Sequence, residues 1–178
     1  MNIDLKTCTE EELWKFIATE LSKNNIDVIL VGGAVVSIYS EGAYKSGDLD
    51  FVLNDFSRDK LNMVLKNLGF VQNGRFYKNP ECKHLFLEFA PFPASIGDDY
   101  SIVPGEIEHE GQKIKIFSPT DCVRDRLAGY MYFKSRDNFD QAILVARKHP
   151  INISKIEKWC ESEKHSEVFE EFLRALKK

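Results

Sequence analysis

The residues able to do chemistry in this 178-residue chain gather in one stretch: Val31-Gly32-Gly33, then 14 residues, then Asp48-Leu49-Asp50-Phe51. Paired glycines after an apolar run let the backbone turn sharply and leave room for a close ligand. A helix opening at such a turn points free N–H groups at it, which makes a cradle for phosphate. Asp48 and Asp50, two positions apart in an alternating pattern, project from one face of a strand. Like charges held that close in a partly dry site repel by on the order of 4 kcal/mol at roughly 4 Å. A divalent cation relieves that repulsion, and magnesium suits it, with manganese as the substitute, because both take hard oxygen ligands alongside substrate phosphates. Glu88, in Leu85-Phe86-Leu87-Glu88-Phe89, is the carboxylate embedded in an apolar strand and the candidate third ligand. Two metals held by three acids would clamp the attacking and leaving oxygens of an in-line phosphoryl displacement. The plainer alternatives are two acids on a solvated strand face, an ordinary strand-to-helix turn, and an edge carboxylate facing water.

Basic and aromatic residues supply candidate nucleotide contacts. Lys45 and Ser46 precede Asp48 and are placed to meet phosphate, although Lys-Ser-Gly is also ordinary loop composition. Arg126, Tyr130 and Lys134 recur at four-residue spacing, so they share one helix face. That stripe reads as nucleotide-facing or as a solvated, salt-bridging face. Asp98 and Asp99 read as turn residues, and Asp137 as a helix cap.

The elements that must position these groups follow from pattern. Thr9-Glu10-Glu11-Glu12 is a capping box ahead of a helical stripe at Leu13, Phe16, Ile17 and Leu21, stopped at Asn24-Asn25. Val28 to Val31 is a buried strand, Ala34 to Tyr39 a short helix, and Leu49, Phe51 and Leu53 mark a second strand. Ser57 is placed to cap a helix carrying Leu61, Val64, Leu65 and Leu68, ended by Gly69. Asn73-Gly74 predicts a hairpin turn between short strands, and His84 to Ala90 a longer strand. Pro91 to Asp99 reads as a loop, and Glu110-Gly111 as the turn of a last hairpin ending at Ile116-Phe117. Ser118-Pro119 opens an all-helical remainder, with later helices at Asn138–Lys148, Ser154–Ser162 and His165–Lys177. The order implies an α+β (or α/β-type) mixed-sheet domain over residues 1–117, followed by a helical region over residues 118–178.

Composition bounds the rest. Hydrophobic residues at 43% suffice for a packed core and argue against a disordered chain. The longest uncharged run, Val28 to Ser40, has 13 residues, short of the roughly 20 that span a bilayer. The N-terminal residues lack a secretory pattern, so a cytoplasmic protein without membrane partners is expected. The net charge of −4 argues against general nucleic-acid binding, although residues 118–149 carry 6 basic and 4 acidic groups, a locally basic stretch. Cys8, Cys82, Cys122 and Cys160 lie far apart, with no zinc-ligand or redox spacing, and read as four reduced thiols. The scattered histidines give no support to a His-based metal site.

The glycine turn with Asp48, Asp50 and Glu88 resembles the nucleotidyltransferase superfamily of the DNA polymerase β type. Within it, Gly42-Ala43-Tyr44-Lys45-Ser46-Gly47-Asp48-Leu49-Asp50-Phe51 is similar to the AbiEii-type branch. Ser118 to Leu127, followed by Ser135-Arg136-Asp137-Asn138-Phe139-Asp140, is similar to the helical half of that branch. The resemblance spans about residues 26–148. It departs in carrying Glu as the third acid, where Asp is common, and Arg126 where many relatives show Lys. It implies a polymerase β-like core with a helical lobe and transfer of a nucleoside monophosphate from a nucleoside triphosphate to an acceptor hydroxyl, releasing pyrophosphate. Asp48, Asp50 and Glu88 are then the catalytic and metal-holding residues, and Gly32, Gly33, Lys45, Ser46, Arg126, Tyr130 and Lys134 the nucleotide-binding ones. The branch includes toxins that modify RNA ends, so the resemblance brings in an RNA end such as a transfer RNA as one acceptor and an antitoxin as one partner. The charge of −4 leaves a protein hydroxyl or a small molecule open as acceptor. The competing class is a catalytically silent binding module acting through a protein partner, against which the retention of all three acids argues.

Overall fold

The computed structural model describes residues 3–53 and 58–177. The capping box forms as expected: the Thr9 hydroxyl accepts from the Glu12 N–H while the Glu12 carboxylate accepts from the Thr9 N–H, opening α1 (Glu10–Lys23). The chain continues through β1 (Val28–Val31), α2 (Gly32–Tyr39), β2 (Asp48–Leu53), α3 (Arg58–Asn67), β3 (Val71–Asn73), β4 (Phe76–Asn79) and β5 (Cys82–Pro91). The last hairpin is β6 (Gly105–His109) and β7 (Gln112–Ile116), and α4 (Pro119–Phe133), α5 (Arg136–Lys148), α6 (Ile153–Ser162) and α7 (Ser166–Leu176) complete it.

Several boundaries differ from the sequence expectation: α5 opens two residues early, at Arg136, and three differences lie in the elements around the acids. Helix α2 starts at Gly32 itself, because a φ of +74° there turns the chain directly out of β1. The hairpin between β3 and β4 closes Asn73 against Phe76, so its turn residues are Gly74 and Arg75. Strand β5 is longer than expected, since pairing with β2 holds it extended as far as Pro91. The Ser57 cap lies outside the described residues.

The strands form one seven-stranded mixed sheet in the order β3-β4-β5-β2-β1-β7-β6. Strand β1 runs antiparallel to β2 and parallel to β7, and β2 runs parallel to β5. Strand β2 turns Leu49, Phe51 and Leu53 into the core while Asp48 and Asp50 stay half-buried on the opposite face. Helix α2 is apolar on every side, which requires cover all round. It packs on β1, β2 and α1, and also on α4 and α5. The core is therefore continuous across Ser118: Val35 and Val36 belong to the same buried cluster as Val123, Leu127, Phe139 and Phe172. No helix among the described residues is long and apolar enough to cross a membrane.

Candidate active site

Strand register assembles the acids. Val31, the last residue of β1, lies opposite Asp50, and Asp50 lies opposite Glu88 on β5. Alternation then puts Asp48, Asp50 and Glu88 on one face. Their carboxylate oxygens come within 4.8 Å of one another. The crowding shows in the proton affinity of Asp50, whose carboxyl is pushed up from 3.8 to about 7. Burial is the largest cause and the charges of Asp48 and Glu88 come next, while Arg126 pulls the other way.

The glycine turn abuts this cluster. A Cβ on Gly33 would lie 2.9 Å from Ser46 Oγ and 3.5 Å from the Tyr44 hydroxyl, so its backbone, too, comes close to its neighbours. Val31, the N-cap of α2, offers no side-chain hydrogen bond to the first N–H groups of the helix, which are left for another acceptor. Sheet order places the turn on one side of the two aspartates and Glu88 on the other.

Ser46 holds the approach to the acids. Its Oγ–H donates to Asp48 Oδ1 at 3.1 Å, and its backbone N–H donates to Glu10 Oε1 at 3.0 Å. Glu10 is buried although charged, and its other oxygen lies 3.7 Å from Lys45 Nζ. Lys45 is thereby paired toward α1, with most of its side chain in solvent.

The basic stripe divides. Arg126 is brought to the site, close enough to act on the charge of Asp50. Its guanidinium donates through Nε to Asp125 Oδ2 at 3.1 Å and through Nη1 to Asn138 Oδ1 at 3.2 Å and Gln141 Oε1 at 3.3 Å. Tyr130 instead donates its hydroxyl to Glu171 on α7 and packs edge-on against Phe139. Lys134 is exposed beyond the last turn of α4, in the left-handed conformation that ends the helix. The three do not converge on one ligand face because α4 stops before Lys134 and α7 claims Tyr130. Asp99 pairs with the buried Arg124, and Asp137 sits in the first turn of α5 rather than at its cap, which is Ser135.

Sequence pattern missed Glu10 and Arg75 as parts of the site, and gave Asp125 only as a surface partner for Arg126. Glu10 read only as part of the capping-box motif, and Asp125 is the acid that Arg126 grips beside Asp50. Arg75 Nε lies 3.5 Å from Glu88 Oε2 across the β4–β5 pair. A sequence signal existed for Asp125 alone, as the neighbour of Arg126.

The sequence matches no family model and no curated protein. The structure is similar to that of an antigenic nucleotidyltransferase-like protein from Paracoccidioides brasiliensis, with a TM-score of 0.55 and 23% identity over 80% of this chain and 74% of that one. It is also similar to the antibiotic-resistance factor ANT(2'')-Ia. The solution structure of that protein gives a TM-score of 0.52 and 14% identity over 93% of this chain and 91% of the other. The crystal structure of ANT(2'')-Ia with adenylyl-2''-tobramycin gives 0.52 and 13%, over 93% and 97%. The chain has the nucleotidyltransferase fold, in its mixed α/β form.

Proposed function

We propose that this protein is a metal-dependent nucleotidyltransferase, moving a nucleoside monophosphate from a nucleoside triphosphate onto an acceptor hydroxyl with release of pyrophosphate. The observation that carries the reading is the convergence of Asp48, Asp50 and Glu88 within 4.8 Å, beside the uncapped start of α2. The donor set fits a divalent ion: three hard carboxylate oxygens, one on a carboxyl that burial and then its two charged neighbours push up to about 7. Asp48, Asp50 and Glu88 would hold Mg²⁺, or Mn²⁺, which when bound supplies the charge that neutralises phosphate and favours the acceptor alkoxide.

The chain's own residues do the remainder. Gly32, Gly33 and the first N–H groups of α2 receive the phosphates. Ser46 holds Asp48 in orientation. Glu88, across β2 from the phosphate turn, faces the acceptor side and takes the hydroxyl proton at a carboxylate oxygen. The acceptor oxygen bonds to the α-phosphorus as the bond to pyrophosphate breaks, and the pyrophosphate leaves with that electron pair.

The finer reading, an RNA end as acceptor and an antitoxin as partner, rests on the likeness of the Gly42-to-Phe51, Ser118-to-Leu127 and Ser135-to-Asp140 segments to the AbiEii-type branch. The test incubates the protein with each α-labelled triphosphate, magnesium and either total RNA or a small-molecule fraction. Label in RNA that is lost in Asp50→Asn supports both levels of the reading. Label in a small molecule keeps the transferase and replaces the acceptor. A protein that is stabilised by triphosphate with magnesium but labels nothing is the silent binding module.

A further inference from the structure

A second set of donor atoms, none of them a carboxylate, converges from segments 74 residues apart. Cys8, just ahead of α1, and Cys82, the first residue of β5, are both buried with their Sγ atoms 4.0 Å apart. His84 is two residues further along β5, and a ring nitrogen of it lies within 4.8 Å of both sulfurs. Cys8 and His84 line a surface cavity of about 360 Å³ whose wall also includes Glu10, Lys45 and Ser46, so it adjoins the approach to Asp48.

The spacing suits a tetrahedral ion. Two thiolates bound at about 2.3 Å in a tetrahedral site stand about 3.8 Å apart, close to the separation already present. A disulfide requires about 2.05 Å. One hydrogen bond fixes which nitrogen of the His84 ring stays free for an ion. Its Nε2 is 2.8 Å from the Cys8 carbonyl oxygen, which can only accept, so Nε2 carries the proton and Nδ1 keeps its lone pair. Two sulfurs and an imidazole select a thiophilic ion over magnesium. Three protein ligands beside an open cavity leave the fourth position to water.

We propose that Cys8, Cys82 and His84 form a site for a zinc-class transition-metal ion, built from donors other than the three carboxylates and argued independently of the transferase reading. Binding breaks each S–H bond as a sulfur–metal bond forms, releasing the protons to solvent. The ion would tie the start of α1, whose Glu10 holds Ser46, to the strand that carries Glu88.

Cobalt(II) titrated into the reduced, folded protein tests this directly. The expected result is one equivalent bound with a near-ultraviolet thiolate-to-cobalt band and visible tetrahedral bands, all bleached by zinc. Asp50→Asn keeps the band, whereas Cys8→Ser and Cys82→Ser lose it. His84→Ala changes an exposed residue, so its fold is secure, and it shifts the tetrahedral bands and weakens cobalt binding. Absence of the thiolate band in the wild-type protein overturns the proposal, as does its persistence in Cys8→Ser. Loss of two hydrogens at a Cys8–Cys82 linkage in the purified protein, with no cobalt bound after reduction, makes the pair a redox couple and overturns it equally.

Discussion

Gly32 stands so close to Asp50 that a Cβ built on the glycine would lie 2.4 Å from Asp50 Oδ2, at a backbone φ of +74°. The glycine turn and the central acid are thus one packed unit: the missing side chain at the turn is the space that the carboxylate occupies. Antiparallel pairing of Val31 with Asp50 sets that contact, one residue before the turn.

Gly32→Ala is therefore expected to damage the site twice. The left-handed backbone costs an L-residue about 1–2 kcal/mol, and the new methyl must displace the Asp50 carboxylate. Denaturant titration should show a loss of about 1–3 kcal/mol, and nucleotide incorporation should fall to background. Full incorporation in a folded Gly32→Ala protein would show that the turn tolerates a side chain.

The carboxylate pair was legible because alternation in Asp48-Leu49-Asp50-Phe51 fixes both acids to one face whatever the sheet order. Glu88 was legible as an acid within an apolar strand, but its pairing with Asp50 belongs to β2–β5 register, which no local pattern encodes. The fate of the basic stripe was not legible either. Helix period puts Arg126, Tyr130 and Lys134 on one face, yet the α4 end at Phe133 and the Glu171 carboxylate on α7 decide where two of them go. Cys8 and Cys82 meet only because α1 is laid against the sheet, so their distance along the chain concealed them.

The raised proton affinity of Asp50 has a consequence for stability. Its folded value, about 7, exceeds the ordinary 3.8, so the protonated acid favours the fold and this contribution fades as pH rises through about 7. Wild-type protein without divalent metal should lose stability relative to Asp50→Asn between about pH 4 and about pH 8, on the order of 2–4 kcal/mol. Magnesium should restore the difference at the higher pH. Urea unfolding of both proteins at the two pH values, with and without magnesium, checks this. A pH-independent difference would mean that Asp50 ionises normally.

Arg126 opposes that shift, since its guanidinium favours the ionised form of Asp50. Arg126→Ala should push the Asp50 proton affinity higher and move the acid limb of the rate profile to higher pH. It also strips Asp125 of its charge-assisted partner, a loss of roughly 1.5–3 kcal/mol. Arg126→Lys keeps the charge and should hold the limb near its wild-type place, while losing the fork that reaches Asn138 and Gln141. Identical profiles for Ala and Lys would remove Arg126 from the electrostatics of the site.

Glu10 is a positioning residue acting through Ser46. Glu10→Ala leaves the buried Ser46 N–H without its acceptor, loosening the hydroxyl that donates to Asp48. kcat should fall with little change in triphosphate KM, and Glu10→Gln, which retains an acceptor oxygen, should recover most of the rate. Ser46→Ala should reproduce the Glu10→Ala defect, and the double variant should add little to either single one because both act on one contact. Additive losses would show that the two residues act separately.

A chain ending at Phe117 stops just after β7, at the boundary where composition turns all-helical, yet it is expected not to fold. Helix α2 would keep its sheet side and lose α4 and α5 from its other side, exposing an apolar surface that the core had covered. Polar ties across the boundary would go as well. Trp159 Nε1 donates to the Ile96 carbonyl at 3.1 Å, and His149 Nε2 and Lys148 Nζ donate to the Tyr39 and Ser40 carbonyls, each at 2.7 Å. The Tyr39 and Ser40 carbonyls close the end of α2, whose start is the glycine turn, so the helical region supports the candidate site from behind as well as supplying Arg126 to it. Loss of near-ultraviolet dichroism and of cooperative unfolding in the truncated chain is the expected outcome. A cooperatively folded fragment that binds triphosphate with undiminished affinity would show that residues 118–178 form a detachable lobe, and that α2 holds the turn without them.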